Sequence, residues 1–295
     1  MSTIEPRVDD RYSERMTVSL LGAADIRRLA AELDVTPTKK LGQNFVVDAN
    51  TVRKIVHAAG VQAGERVVEI GPGLGSLTLA VLETGASVTA VEIDHRLAER
   101  LPRTAAEQGV PDGALTVVDA DALRVTELPG DPEVLVANLP YNVSVPVLLH
   151  FLETFPGITR GVVMVQAEVA ERLAAKPGSK IYGAPSVKAA WYGPWHLRGT
   201  VSRQVFWPVP NVDSLLVGFE RDAAPRGSED ERRRTFAIVD AAFNQRRKML
   251  RQALSGLFGS SAEASAVLES AGVAPTARGE DLTVEDYHRV ALAAD

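Results

Sequence analysis

Arg66-Val67-Val68-Glu69-Ile70-Gly71-Pro72-Gly73-Leu74-Gly75-Ser76 is the stretch that decides the fold. Its first five residues are a short run rich in Val and Ile, the pattern of a strand buried on both faces. Three glycines at alternate positions follow, and from Ser76 to Glu83 an apolar segment reads as a helix. The same alternation continues outward. Ser87 to Val91 reads as a second strand and His95 to Ala106 as a second helix. Leu115 to Val118 and Glu133 to Val136 are further strands, Val145 to Leu152 a helix, and Gly161 to Val165 another apolar strand. Upstream, Ala23 to Leu33 has the spacing of an amphipathic helix. Asp48 is placed to cap a helix running to Ala59, with Val52, Ile55 and Val56 on one face. Strands alternating with helices predict an α/β fold, a Rossmann-like doubly wound parallel sheet covered on both faces.

Beyond Glu220 the pattern changes. Asp222 to Glu229 has the composition of a linker, and helices alone follow: Glu231 to Phe243, Arg246 to Phe258, Ala262 to Ala271 and Val284 to Ala294. The expected organisation is an N-terminal extension over 1–36, partly disordered, a sheet domain over 37–221, and a small helical domain over 230–295.

The 295 residues are 45% hydrophobic and 24% charged, the balance of a globular protein. No apolar run approaches the ~18 residues of a membrane helix. Met1 to Arg15 is polar, unlike a secretory signal, so the cytoplasm is the expected compartment. The absence of cysteine excludes disulfides, thiolate catalysis and cysteine-ligated metals, and no metal is expected. A formal net charge of -6 argues against coating nucleic acid nonspecifically, but leaves room for a local basic face.

In an open α/β sheet the ligand crevice lies at the carboxyl ends of the strands. Glycines there let the backbone approach a ligand without a Cβ in the way. A dinucleotide fingerprint needs glycine at its first, third and sixth positions. Here the sixth is Ser76, and Gly75 stands at the fifth. Glu69 leading Gly71, Gly73 and Gly75 is similar instead to the loop of S-adenosylmethionine methyltransferases. Glu92 follows the second strand about twenty residues past Gly71, where a carboxylate accepts ribose hydroxyls. Asp121 and Asp119 both follow the third strand, and either could accept the cofactor's exocyclic amine.

Asn138-Leu139-Pro140-Tyr141-Asn142 follows the fourth strand. It matches the Asn/Asp-Pro-Pro-Tyr/Phe class of motifs of methyltransferases acting on planar exocyclic amines. The lone pair of an adenine N6 is delocalised into its ring, so the amine is a poor nucleophile. The Asn138 side-chain oxygen and the Leu139 carbonyl can each accept one of its hydrogens. That draws the nitrogen toward tetrahedral geometry and aims its lone pair, by orientation and preorganised electrostatics. Pro140 stiffens the loop and holds Leu139 extended. Tyr141 can stack on a base splayed from its helix.

With these residues in view, the chain resembles the ribosomal RNA adenine dimethyltransferases of the bacterial KsgA (RsmA) type. The likeness runs from about Lys39 to the C-terminus. It is carried by Leu41-Gly42-Gln43-Asn44-Phe45, the glycine loop and the Asn138 motif. Ser179-Lys180-Ile181-Tyr182-Gly183, Phe206-Trp207-Pro208-Val209-Pro210-Asn211-Val212-Asp213-Ser214 and Ala242-Phe243-Asn244-Gln245-Arg246-Arg247-Lys248 add to it. The resemblance implies an S-adenosylmethionine-dependent methyltransferase domain over 37–221 and a helical RNA-binding domain over 230–295. It implies that Asn44, the backbone of Val46, Gly71, Gly73, Glu92, Asp121 and Asn138 hold S-adenosylmethionine, and it favours Asp121 over Asp119. It implies that Phe206 stacks on the target base opposite Tyr141; alone, Phe206 would read as a core aromatic. The implied product is N6,N6-dimethyladenosine at two adjacent adenosines near the 3′ end of 16S rRNA, and the implied partner is the assembling 30S subunit. Two departures stand out: the long N-terminal extension, and Trp207 where smaller residues are usual.

Arg246, Arg247, Lys248 and Arg251 are expected at the start of a helix, where with Lys39 and Lys40 they would grip RNA phosphates. The alternative is that they pair with acids of their own domain. A monomer is expected, with no membrane and no DNA as partner. Two rival functions remain: a macrolide-resistance type dimethyltransferase of 23S rRNA, and an assembly factor that has lost catalysis. Arg278-Gly279-Glu280-Asp281-Leu282 fits the small-subunit type better.

Overall fold

A computed structural model describes residues 18–35, 44–139 and 143–294. The elements in chain order are α1 (Ala23–Glu32), β1 (Phe45–Val46), α2 (Ala49–Ala59), β2 (Arg66–Ile70), α3 (Ser76–Leu82), β3 (Ser87–Glu92) and α4 (His95–Glu107). Next come β4 (Leu115–Asp119), β5 (Val134–Asn138), α5 (Ser144–Thr154), β6 (Arg160–Gln166), α6 (Ala167–Leu173) and α7 (Ala184–Ala190). Then follow β7 (Trp195–Val201), β8 (Phe206–Trp207), β9 (Ser214–Glu220), α8 (Glu229–Asn244), α9 (Leu250–Ala253), α10 (Ser255–Phe258), α11 (Ser261–Ser270) and α12 (Val284–Ala293).

The main sheet has seven strands in the order β4-β3-β2-β5-β6-β9-β7. The first five are parallel, and β9 and β7 complete the sheet antiparallel. Chain order reverses between β2 and β5, which is where an open sheet leaves a crevice. The register aligns Ile70 with Ala137 and with Val91, so Gly71 and Asn138 emerge side by side at that crevice. Period-two alternation splits the core between two faces. Val67, Val134 and Val136 pack with α1 to α4 on one face, and Val68, Leu135 and Ala137 with α5 to α7 on the other.

Two features of the packing bear on how the chain is divided. Residues 18–35 pack as part of the first face, with Ile26 and Leu29 fully covered. The helices after Ser228 continue the core of the second face: Ile238, Val239, Tyr287 and Val290 belong to the cluster that contains Leu135 and Val163. Segment 222–228 is itself tied down. Arg226 bonds Asp222, Glu285 and the carbonyls of Ala190 and Trp191. Among the described residues no helix is long and apolar enough to cross a membrane.

Candidate active site

At the carboxyl ends of β4, β3, β2 and β5 lies a cavity of about 320 Å³. Its wall is largely apolar, with polar groups contributed by Asn44, Ser76, Glu92, Asp121 and Asn138. The glycine loop forms one side. Gly73 and Gly75 both have positive φ, a conformation that L side chains rarely adopt. A Cβ on Gly73 would stand 3.0 Å from the Phe45 ring, and one on Gly75 would stand 2.7 Å from Leu101. The loop is therefore as close to its neighbours as backbone allows. Ser76 Oγ donates to the Val46 carbonyl at 2.7 Å, binding the start of α3 to β1. The sequence reading had no role for Ser76 beyond breaking the dinucleotide pattern.

Glu92 ends β3 and is almost fully buried. Its Oε1 accepts the backbone N–H of Ile93 at 2.9 Å and of Asp94 at 3.0 Å, and its Oε2 accepts that of Gly73 at 3.0 Å. Burial raises its pKa from the usual carboxylate value, and the three backbone donors oppose that rise. A carboxylate has about four acceptor sites. The bonds from the described residues use three of them, and Glu92 lines the cavity. Asp119 and Asp121 separate clearly. Asp119 pairs with His95 Nδ1 at 2.5 Å, whereas Asp121 lines the cavity and holds Leu123 N–H through Oδ1 at 2.9 Å.

Asn138, the last residue of β5, is oriented by a partner that the sequence did not reveal. Its Nδ2 donates to the Asn44 backbone carbonyl at 3.1 Å. A carbonyl can only accept, so the amide nitrogen must face Asn44 and the side-chain oxygen must face away. Leu139 is buried in the same wall, its N–H held by the Met164 carbonyl at 3.0 Å. Asn44 and Val46 also line the cavity, as do Gly71 and Gly73. Pro140, Tyr141, Lys39, Lys40 and the segment Leu41 to Gln43 lie outside the described residues.

Among the described residues Phe206 is 3% exposed, sits in the core of the first face and does not line the cavity. The cause is a two-stranded ribbon in which β8 pairs with β1, setting Phe206 opposite Val46. The adjacent Trp207, a departure from the family pattern, stacks on Phe45 with ring centroids 6.4 Å apart. Arg246, Arg247 and Lys248 do not begin a helix; they lie in the turn between α8 and α9. Arg246 is paired internally, its Nε to Glu280 at 2.8 Å, while Arg247 and Lys248 are exposed with no acid partner among the described residues.

Residues 36–295 match the family described as ribosomal RNA adenine dimethylase. The chain belongs to that family. A ribosomal RNA small subunit methyltransferase A from Leifsonia xyli is 68% identical over 274 residues, covering 92% of this chain and 98% of the relative. A dimethyladenosine transferase from Plasmodium falciparum shares the fold with a TM-score of 0.70, at 23% identity, over 82% of this chain and 94% of that one. The 23S rRNA methyltransferase ErmE gives a TM-score of 0.63 at 26% identity, over 85% of this chain and 99% of that one. An adenine dimethylase of this family takes its methyl groups from S-adenosylmethionine. The dimethylase cavity suits such a group: its volume falls in the range of ~300–1,000 Å³ typical of cofactor sites. The glycine cradle and the buried Glu92 carboxylate in the cavity wall suit a ribose-bearing ligand.

Proposed function

We propose that this chain methylates N6 of two adjacent adenosines near the 3′ end of 16S rRNA, producing N6,N6-dimethyladenosine during small-subunit assembly. In this reading Gly71, Gly73, Glu92, Asp121, Asn44, Val46 and Asn138 hold S-adenosylmethionine, which supplies an electrophilic sulfonium methyl. Asn138 Oδ1 and the Leu139 carbonyl accept the hydrogens of the target amine. They turn the nitrogen lone pair out of conjugation and stabilise the positive charge growing on it. The Leu139 N–H, held by the Met164 carbonyl, fixes the backbone immediately before the second acceptor. After one methyl the amine retains one N–H, so a single acceptor suffices for the second transfer. Tyr141 stacks on the base. The substrate is the assembling 30S particle, bound by a helical domain over 230–295, and the enzyme acts as a cytoplasmic monomer.

The observation carrying this reading is the Asn138 amide, whose nitrogen is held by the Asn44 carbonyl so that its oxygen faces away from that carbonyl. The 68% identity to a small-subunit enzyme, against 26% to ErmE, favours 16S over 23S rRNA. The purified chain is expected to transfer labelled methyl to unmethylated 30S particles and not to 23S rRNA. Asn138→Ala is expected to lower kcat by about 10²–10³-fold, the scale for losing one oriented polar group, a larger loss than its effect on S-adenosylmethionine binding. Undiminished turnover by that variant would overturn the mechanism.

A further inference from the structure

We infer that Arg96 is a positioning residue for the S-adenosylmethionine site: it braces the turn that aims Glu92 against the end of α1, and so makes segment 18–35 part of that site's support. The inference rests on the proposed role of Glu92 toward the cofactor.

The Glu92 carboxylate is aimed by the turn that follows it. Its Oε1 takes the N–H of Ile93 and of Asp94, so a shift of that turn shifts the carboxylate. Asp94 is the N-cap of α4, and its Oδ1 accepts the Arg96 N–H at 3.1 Å. The Arg96 guanidinium grips both Asp94 oxygens, Nε to Oδ1 at 3.2 Å and Nη2 to Oδ2 at 2.9 Å. Its remaining nitrogen, Nη1, donates to the Asp34 carbonyl at 3.1 Å, 62 residues earlier in the chain. A planar guanidinium fixes the placement of its two partners relative to each other, which a single ammonium cannot do.

The far end of the brace is firm as well. Asp34 has a positive φ of 49°. Around it the Asp34 N–H bonds the Ala31 carbonyl and the Val35 N–H bonds the Ala30 carbonyl, the pair of bonds that closes a helix C-terminus. Val35 itself is buried. Ser19 N–H donates to the Gln108 carbonyl at 2.9 Å, so segment 18–35 is tied to both ends of α4. Ile26 and Leu29 of α1 pack in the cluster that contains Leu74, Leu77 and Leu97, and those three side chains line the cavity. Residues 18–35 do not line it themselves, so their action on it is indirect.

Charge points the same way. Burial raises the Glu92 pKa, and the Asp94 charge adds to that rise. Arg96 offsets the Asp94 charge, and its hydrogen bond holds the Asp94 carboxyl below the usual carboxylate range. Without Arg96 the turn loses its brace and Glu92 sits beside an uncompensated anion.

The test uses full-length protein. Arg96 is half exposed, so its replacement leaves the core intact. Arg96→Gln is expected to raise the KM for S-adenosylmethionine roughly tenfold, the scale of one link in a hydrogen-bond network, with kcat at saturating cofactor unchanged. Arg96→Lys keeps the charge without the fork and is expected to recover part of the loss. Hydrogen exchange supplies a readout apart from activity. Coupling between two sites is reciprocal, so S-adenosylmethionine is expected to slow exchange of the Asp34 and Val35 amides in the wild type and not in Arg96→Gln. An unchanged KM, a fall in kcat alone, or equal slowing in both proteins overturns the inference. Glu92→Ala separates that failure from failure of the reading beneath it. If Glu92→Ala raises KM and Arg96→Gln does not, Glu92 holds the cofactor and the brace falls; if neither does, the role of Glu92 falls too.

Discussion

Glu69 opens the glycine motif but does not touch the cavity, and its chemistry comes from burial. It is 1% exposed, and its Oε2 accepts the Thr78 hydroxyl at 2.6 Å. Loss of solvation pushes its pKa up to about 8; the Thr78 hydrogen bond opposes this and the nearby Glu92 charge adds to it. The folded protein therefore keeps a proton that the unfolded chain releases above 4.5. Across the window from 4.5 to 8 stability falls as pH rises, by up to ~1.4 kcal/mol per unit. Glu69→Gln presents a neutral side chain of the same shape to Thr78 and has no proton to lose. Melting temperatures between pH 5 and 8 are expected to decline in the wild type and to be flatter in the variant; parallel curves would show that Glu69 does not hold the proton. At this scale residue type and spacing alone placed Asn138, Glu92 and Gly73 at the strand ends, and all three line the cavity. The sequence was silent where a partner lies far along the chain. The Asn44 carbonyl that orients Asn138 is 94 residues away, and Phe206 is covered because of a pairing with β1 that no periodicity announces.

Among elements, the parallel strands and their helices were legible because buried strands are continuous apolar runs. The antiparallel pair was not read. β7 carries His196, Arg198 and Thr200 on an edge, with a register shift between Leu197 and Gly199, so neither alternation nor an apolar run marks it. The turn after Asn244 was misread as helix because its arginines are good helix formers. One tie between elements is testable on its own. His95 at the start of α4 meets Asp119 at the end of β4, bridging the segments that carry Glu92 and Asp121. The Asp119 hydrogen bond and charge raise the imidazole pKa above 6.5. The charged pair is thus complete below 6.5 and lost as pH rises through the raised value. An NMR titration of His95 should show a midpoint above 6.5 that moves down in Asp119→Asn. An unmoved midpoint would mean that the two side chains do not pair in solution.

At the scale of the whole molecule, composition places a linker at 222–229, and a linker suggests two units that fold apart. The packing argues otherwise. Trp191 meets Phe236 and His288 edge-on, at 6.0 and 5.0 Å between centroids, and Tyr182 meets Phe243 at 6.1 Å. Trp191 and Tyr182 belong to the chain before the linker, and their ring partners to the helices after it. Deleting 222–295 would uncover both rings together with the neighbouring apolar surface. Fully exposing a large apolar side chain costs about 1.5–3 kcal/mol, so the two rings alone account for up to about 6 kcal/mol. That is comparable to the ~5–15 kcal/mol that stabilises a whole domain. A chain ending at Arg221 is therefore expected to show no cooperative melt and no cofactor binding, and the full chain is expected to unfold in one calorimetric transition. Two separate transitions in the full chain, or a sharp melt in the truncated one, would mean that the helices merely rest on a sheet domain that is stable without them.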